Sequence, residues 1–211
     1  MTDNLTLARL LMLLGVVAGL LFCLVATIEM FRRPGFDLAR HAISMLSLGK
    51  DGWIMKATFL ASGALTFACA VGLFIALEKT WPNMAFAGLI GIYGVGLAIA
   101  GVFDAPASFG FPQGTPIDQQ PIMTRSATLH SVGFMVAFNS LIIAAFIFAY
   151  LSFGSGHTLM TIFSLISGIA MPVLVGLGIS MTVAPGIAFY LAAIAGWLWL
   201  GIVVLALPLG G

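Results

Sequence analysis

Four side chains that can carry charge or transfer a proton follow one another at helical spacing early in the chain. These residues stand at i, i+3, i+4 and i+7: Asp37, Arg40, His41 and Ser44. A helix here would place them on one stripe, and Asp, His and Ser are the residue types of a nucleophilic triad. A triad also needs an oxyanion hole and a base within reach of the nucleophile, which three residues on one short helix seldom provide. No Gly-x-Ser-x-Gly turn presents a serine either.

Two histidines and an aspartate form a second candidate group. His41 and His130 come from segments that we place below on the same side of a membrane, and Asp104 lies between them in sequence. Two imidazoles and a carboxylate are donors that suit zinc or iron. However, the chain has only three histidines, and no HxxxH or HExxH spacing occurs. A metal-dependent membrane hydrolase that uses His41, His130 and Asp104 is therefore an alternative interpretation.

Arginine offers a third kind of chemistry, the recognition of an anion. Arg40 follows Arg32 and Arg33 in the same loop, and a guanidinium can hold a phosphate through two parallel hydrogen bonds. Polar side chains at the level of the headgroups suit a membrane lipid or another amphiphile. We therefore predict a ligand-binding site formed by Arg40, His41, Ser44, Asp104 and His130. A structural subunit that binds a membrane protein partner and no ligand is a further alternative.

The composition places these residues in a membrane protein. Hydrophobic residues make up 61% of the 211 residues, charged residues make up only 7%, and the mean hydropathy is +1.16. A soluble domain carries about 25% charged residues, so this chain could not cover a surface that faces water. Its net charge of +1 argues against nucleic acid, which calls for a dense basic face.

Six stretches are long and apolar enough to span a bilayer, since a spanning helix needs about 20 mostly apolar residues. They cover approximately Leu5–Met30, Ala57–Leu77, Met84–Phe103, Ala127–Phe153, Thr158–Met181 and Ile187–Leu207. Their glycines are typical of membrane helices. The sequence therefore predicts an all-α fold, a bundle of six transmembrane helices that forms a single domain over residues 1–211.

The polar chemistry is concentrated on one side of this bundle. An even number of spans places both termini on one side and the loops after spans one, three and five on the other. Eleven of the fifteen charged residues fall on the second side: Glu29, Arg32, Arg33, Asp37, Arg40, Lys50, Asp51, Lys56, Asp104, Asp118 and Arg125. Long polar loops carry function more often than short connections do. The excess of cations would place this crowded side in the cytoplasm.

Two long loops on the crowded side are expected to be ordered. In the first, "RRPGFDLARHAISMLSLGKDGW", the apolar residues Leu38, Ala42, Met45 and Leu46 recur at helical spacing, which predicts an amphipathic helix at the membrane interface. The second, "GVFDAPASFGFPQGTPIDQQ", combines prolines and glycines with phenylalanines, which is unusual for a disordered linker. It is either a lid packed on the mouth of the bundle or an interfacial loop with no ligand beneath.

Three segments make the chain resemble the DUF998 family of six-span prokaryotic membrane proteins. The first is "PGFDLARHAISMLSLGKDGW", which is similar to the first-loop pattern of that family. The second is "GVFDAPASFGFPQGTP", which is similar to its acidic and proline-glycine loop, although here Ala105 separates Asp104 from Pro106. The third is the pair "LHSVGF" and "GWLWL", near the start of span four and in the last span.

The resemblance implies a fold and a location but no reaction. It implies a multi-pass protein of the cell membrane, plasma or inner, with six spans and no established activity. It also implies a cytoplasmic N-terminus, whereas the distribution of cations places the opposite side in the cytoplasm. The orientation in the membrane therefore stays open, and so do the cofactor and the oligomeric state.

Overall fold

The described part of the chain is a bundle of six long α-helices. A computed structural model describes residues 2–207, so residue 1 and residues 208–211 of the predicted domain lie outside the described residues. The helices are α1 (Thr2–Arg32), α2 (Trp53–Ala76), α3 (Trp81–Val102), α4 (Arg125–Gly154), α5 (Thr158–Ile179) and α6 (Pro185–Ala206). The prediction of an all-α bundle with six spans is confirmed, and the predicted bounds differ from these by a few residues.

Each of the six helices is long and apolar enough to cross a bilayer. The chain is therefore a multi-pass membrane protein. Helices that are neighbours in sequence pack against each other, and α1 also packs against α6, which closes the bundle into a ring.

Glycines permit the closest helix contacts in this ring. A Cβ on Gly63 of α2 would lie 2.6 Å from the carbonyl oxygen of Gly94 on α3, and a Cβ on Gly94 would lie 2.6 Å from that of Gly63. No side chain fits between backbones at this distance, and small residues at helix crossings are the usual way in which membrane helices approach so closely.

The bundle has two ends, which we name for what they carry. The connector end carries the first connector (residues 33–52, between α1 and α2), the ribbon (residues 103–124, between α3 and α4) and the α5–α6 connection. The terminal end carries both chain termini. The interior near the terminal end is filled by Trp199, whose ring meets the rings of Phe86 and Phe148 at 6.3 Å. Its Nε1–H donates to Ser164 Oγ at 3.0 Å.

The first connector differs from the predicted amphipathic helix. Its backbone makes a turn in which the N–H groups of Arg40 and His41 both donate to the Asp37 carbonyl, and a 3-10 helix over Ile43–Ser47 follows. The helix prediction was wrong because local side-chain bonds compete with a continuous helix here. The Asp37 carboxylate accepts the N–H of Ala39 at 2.8 Å, and the ring of His41 accepts the N–H of Asp37 at 2.9 Å.

The same segment is buried against the bundle rather than laid on its surface. Four of the five residues of the 3-10 helix are buried, among them Ile43, Met45 and Leu46. The sequence pattern of this segment suggested one apolar stripe and one polar stripe. The 3-10 helix is buried on nearly all sides and therefore has no polar stripe, whereas Asp37 and Arg40 before it are exposed.

Candidate functional site

The first connector and the ribbon meet over the connector end and form what we call the roof. His41 joins them, because its Nε2–H donates to the carbonyl of Phe109 at 3.0 Å. Its Nδ1 accepts the N–H of Asp37, which fixes the proton on Nε2. The imidazole also packs against Phe36 and Phe111, with ring centroids 5.5 and 5.3 Å away. His41 is 2% exposed, and both ring nitrogens are hydrogen-bonded. It therefore holds the first connector and the ribbon together.

Arg33 makes a second clamp in the roof. Its guanidinium donates to the carbonyls of Leu46 at 2.7 Å and Leu48 at 2.5 Å and lies 5.3 Å from the ring centre of Phe111. Buried charge must be satisfied by such bonds, and Arg33 is a buried residue. The guanidinium thus closes the first connector on itself and faces the ribbon only at the ring of Phe111.

The ribbon is an ordered loop held by backbone hydrogen bonds, and its Phe111 is buried. Phe111 is 1% exposed, and Ser108 and Phe111 exchange backbone hydrogen bonds of 3.2 and 3.0 Å. The N–H of Phe109 donates to the carbonyl of Gln119 at 2.9 Å and closes the loop on itself. Both interpretations of the ribbon, a lid over a ligand and an interfacial loop with no ligand beneath, agree with these contacts, so the choice between them stays a prediction.

A cavity of about 380 Å³ lies beneath the roof. Ligand pockets commonly measure roughly 300–1,000 Å³ and are mostly apolar with a few placed polar groups. Aromatic rings form much of its wall: Phe22, Phe59, Tyr93, Phe109, Phe134, Phe138, Phe189 and Trp197. Its polar lining residues, apart from Tyr93 and Trp197, come from the roof and the first turns of α4: Arg40, Ser44, Ser108, His130 and Ser131.

The cavity runs deep into the bundle. Trp197 lines it, and this residue lies twelve positions beyond Pro185, where α6 begins. At 1.5 Å per residue this separation is about 18 Å along the helix. The cavity thus reaches about halfway along α6, which has 22 residues.

The mouth of the cavity is at the connector end, between the roof, α4 and the start of the α5–α6 connection. The lining residues that are also exposed mark this opening: Arg40, Pro121, Met135, Ile179 and Met181. Most of these exposed residues are apolar. The opening is therefore suited to a molecule that arrives from the membrane.

His130 lines the cavity with one edge of its ring. Its Nδ1 lies 2.8 Å from the carbonyl of Ala100 and 3.1 Å from that of Phe103, both in the last turn of α3 or just beyond it. These carbonyls can only accept, so Nδ1 carries the proton, and helix-end carbonyls need such donors. The Nε2 of a neutral ring is then an acceptor.

Arg40 is held loosely at the mouth. Its Nε lies 3.6 Å from a carboxylate oxygen of Asp37, and the side chains of Arg40 and Asp37 are 54% and 49% exposed. An exposed ion pair of this kind contributes little. By contrast, Arg32 is bound by two hydrogen bonds to Glu29, at 2.7 and 2.9 Å. Of the arginines in and beside the first connector, Arg40 is the one that lines the cavity.

Asp104 does not line the cavity. Its carboxylate lies 2.6 Å from Lys56 Nζ, and its N–H donates to Ser126 Oγ at 2.8 Å. Of the five residues in the predicted site, Arg40, Ser44 and His130 line the cavity, whereas His41 belongs to the roof and Asp104 to an ion pair beside it. Among the residues that the structure describes, no group of three or more His, Cys, Asp or Glu side chains could hold a metal ion, so the geometry does not favour the metal-dependent hydrolase.

The prediction from sequence missed the aromatic part of the site. Trp197, Tyr93 and Phe22 line the cavity, yet each lies inside an apolar span in which aromatic residues are ordinary. One signal was available for Trp197: an indole N–H in an apolar span needs a hydrogen-bond partner. The sequence did not show whether the bundle supplies one.

Comparisons with known proteins agree with the fold. The family model described as "Protein of unknown function (DUF998)" matches residues 16–206, a range that includes most of α1 and all of α2 to α6. The roof and every residue named above as lining the cavity fall within the matched range. No curated protein and no solved structure matches the chain.

Proposed function

The chain belongs to the DUF998 family, and from this premise we propose that it binds a membrane amphiphile with an anionic headgroup in the cavity beneath the roof. One observation carries the proposal: a cavity of about 380 Å³ is lined by an exposed arginine and by an apolar, largely aromatic wall that continues about halfway along α6. A ligand that fits both parts has one charged end and one apolar end.

The anionic headgroup is assigned to Arg40. The guanidinium is exposed at the mouth and has only a loose ion pair with Asp37, so it can turn to a phosphate or carboxylate and hold it through two hydrogen bonds. Ser44 lines the same part of the cavity and offers a hydroxyl. His130 lies further in, where its ring can meet the polar part of the ligand next to the headgroup.

The apolar part of the ligand is assigned to the space between α4, α5 and α6. Met135, Ile179 and Met181 line the cavity and are also exposed, so a chain can enter sideways from the bilayer without passing through water. Apolar contact with these side chains replaces contact with lipid. On this proposal the protein acts in the plasma or inner membrane of a prokaryotic cell.

Native mass spectrometry of the gently extracted protein tests this function. Ala193 lies on the cavity wall of α6, so Ala193→Phe should occupy part of the cavity and reduce the amount of co-purified lipid. Arg40→Ala should selectively reduce anionic lipids. The matched control is Gly201→Phe on the same helix, where an added Cβ would meet no atom within 4 Å, and this variant should retain the lipids of the wild type.

A second experiment distinguishes a carboxylate headgroup from a phosphate headgroup. Octadecanoate or an anionic lysophospholipid is added to the delipidated protein. Retention of either probe that depends on Arg40 supports the proposal and identifies a carboxylate or a phosphate as the better headgroup. If Ala193→Phe and Arg40→Ala both retain the same lipids as the wild type, the cavity is not the binding site and the proposed function is wrong.

A further inference from the structure

α4 carries a polar amide on its outer surface. Asn139 stands midway along this 30-residue helix, and the residue is exposed. Thirty residues of α-helix measure about 45 Å, whereas the hydrocarbon core of a bilayer is roughly 30 Å thick. The middle of a helix that crosses the whole core therefore lies in hydrocarbon, at whichever end the excess length falls.

The helix itself satisfies only part of this amide. Asn139 Nδ2 donates to the carbonyl of Met135 at 2.8 Å, which uses one of its two hydrogens. The second N–H and Oδ1 have no hydrogen-bond partner among the residues that the structure describes. Lipid tails offer neither donor nor acceptor, and an unsatisfied polar group in hydrocarbon is costly. Asparagine in a membrane helix commonly bonds across to another helix, and that bond is missing within the described chain.

The residues around Asn139 form what we call the α4 stripe. Its members are exposed and share one side of the helix: Val132, Asn139, Ile143, Phe146, Tyr150 and Phe153. Val132, Asn139 and Phe146 recur at intervals of seven, the spacing at which two helices pack along a shared seam, and a single asparagine in such a seam fixes the register. The cavity wall is a different side of α4, where Ala137 and Phe138 lie.

A second copy of the chain has the chemistry to complete this amide. A carboxylate can only accept and an ammonium group can only donate, so each would satisfy one half of it, whereas another amide does both. Two copies inserted in the same direction are related by a twofold axis along the membrane normal. This symmetry places the two Asn139 residues at the same depth and gives both copies the same contact surface.

We propose that two copies of the chain associate in the membrane through the α4 stripe, with the Asn139 amides hydrogen-bonded to each other at its centre. Val132 and Phe146 pack against their counterparts on either side of the amide pair and separate it from lipid. The dimer leaves the cavity wall of each copy on the other side of α4. This inference does not depend on the proposed function.

Förster transfer between donor-labelled and acceptor-labelled full chains in lipid vesicles measures the association as the ratio of lipid to protein is raised. Asn139→Leu removes the amide and should weaken the dimer by about three- to thirtyfold, the range that corresponds to hydrogen bonds between membrane helices. Asn139→Gln keeps an amide and should retain most of the association. Val95→Leu, at an exposed position of α3, is the matched control and should associate like the wild type.

Disulfide trapping in membranes locates the interface independently. The chain's own Cys23 and Cys69 are first replaced by alanine. In that background Val132→Cys should form covalent dimers on oxidation, because positions in the seam face their own counterparts. Ile92→Cys, at an exposed position of α3, should not. Adding Asn139→Leu to Val132→Cys should reduce the trapped fraction.

The inference is overturned if the wild type stays monomeric at every ratio of lipid to protein, or if Asn139→Leu associates as tightly as the wild type. Trapping at Ile92→Cys as strong as at Val132→Cys would also overturn it, since the contact would then not involve the α4 stripe. If the wild type is monomeric and a different membrane protein co-purifies with it but not with Asn139→Leu, the partner is not a second copy and the inference is wrong.

Discussion

The two tryptophans of α6 stand two residues apart and lie in different surroundings. Trp199 is fully buried among Phe86 and Phe148 and donates to Ser164. Trp197 is buried as well, but it faces the cavity and its N–H has no partner among the described residues. One helix thus contributes to a filled interior near the terminal end and to a hollow interior near the connector end. The cavity is therefore confined to the part of the bundle near the connector end. The packed core near the terminal end holds the six helices together.

The largest loss of stability is expected when the filled interior near the terminal end loses a side chain. Trp199→Ala deletes a fully buried ring and the hydrogen bond to Ser164 and should lower the free energy of unfolding by about 3–5 kcal/mol. Trp197→Ala enlarges a space that already exists and should lower it by less than half as much. Thermal unfolding in detergent compares the two. Equal losses would show that the two halves are packed alike.

The second effect concerns two adjacent alanines. Ala192 is 0% exposed and does not line the cavity, whereas Ala193 is on the cavity wall. Ala192→Leu should therefore overpack the interior and lower the free energy of unfolding by about 1–3 kcal/mol. Ala193→Leu should change it little, because the added atoms enter the cavity. The comparison fails if Ala193→Leu is the more damaging of the two.

The third effect separates the two arginines of the first connector. Arg33→Met removes the guanidinium that donates to the carbonyls of Leu46 and Leu48, so the first connector loses two of its bonds. Faster amide hydrogen exchange is expected in the first connector and the ribbon. Arg40→Met should leave the exchange of both segments unchanged and reduce only the binding of anionic amphiphiles. Faster exchange in Arg40→Met would assign that arginine to the roof instead.

The smallest effect is expected at the ion pair beside the cavity. Asp104 and Lys56 are 2.6 Å apart, with 50% and 34% of their side chains exposed. Pairs that face solvent contribute roughly 0.2–1 kcal/mol, so Asp104→Asn should lie at the low end of that range in thermal unfolding. Lipid retention should be the same as in the wild type. A clear loss of lipid in Asp104→Asn would return this residue to the site.

The fold was largely predictable because a membrane-spanning helix can be recognised from one continuous run of apolar residues. The predicted start of α5 at Thr158 coincides with the structure, and the other predicted bounds lie within a few residues of it. The meeting of the two long loops was predictable too, since an even number of spans places them on one side. Arg40, Ser44 and His130 line the cavity for this reason.

The parts that escaped prediction depend on contacts between distant segments. Helical spacing of Asp37, Arg40 and His41 predicted a helix, but His41 is bonded to Asp37 within a turn and to Phe109 in the ribbon. His41 was predicted to contact a ligand, but it is buried and joins the two loops of the roof instead. Trp197 escaped because periodicity cannot show which of two neighbouring indoles finds a partner.

The hydrogen bond from His41 to Phe109 spans 68 positions of the chain. During synthesis the first connector therefore cannot form this hydrogen bond until α2, α3 and the beginning of the ribbon have been made. The entrance to the bundle is completed late, by two pieces that reach the membrane at different times. A chain that stops after α3 would have three helices and only the first connector, with His41 lacking the Phe109 carbonyl and Arg33 lacking the ring of Phe111.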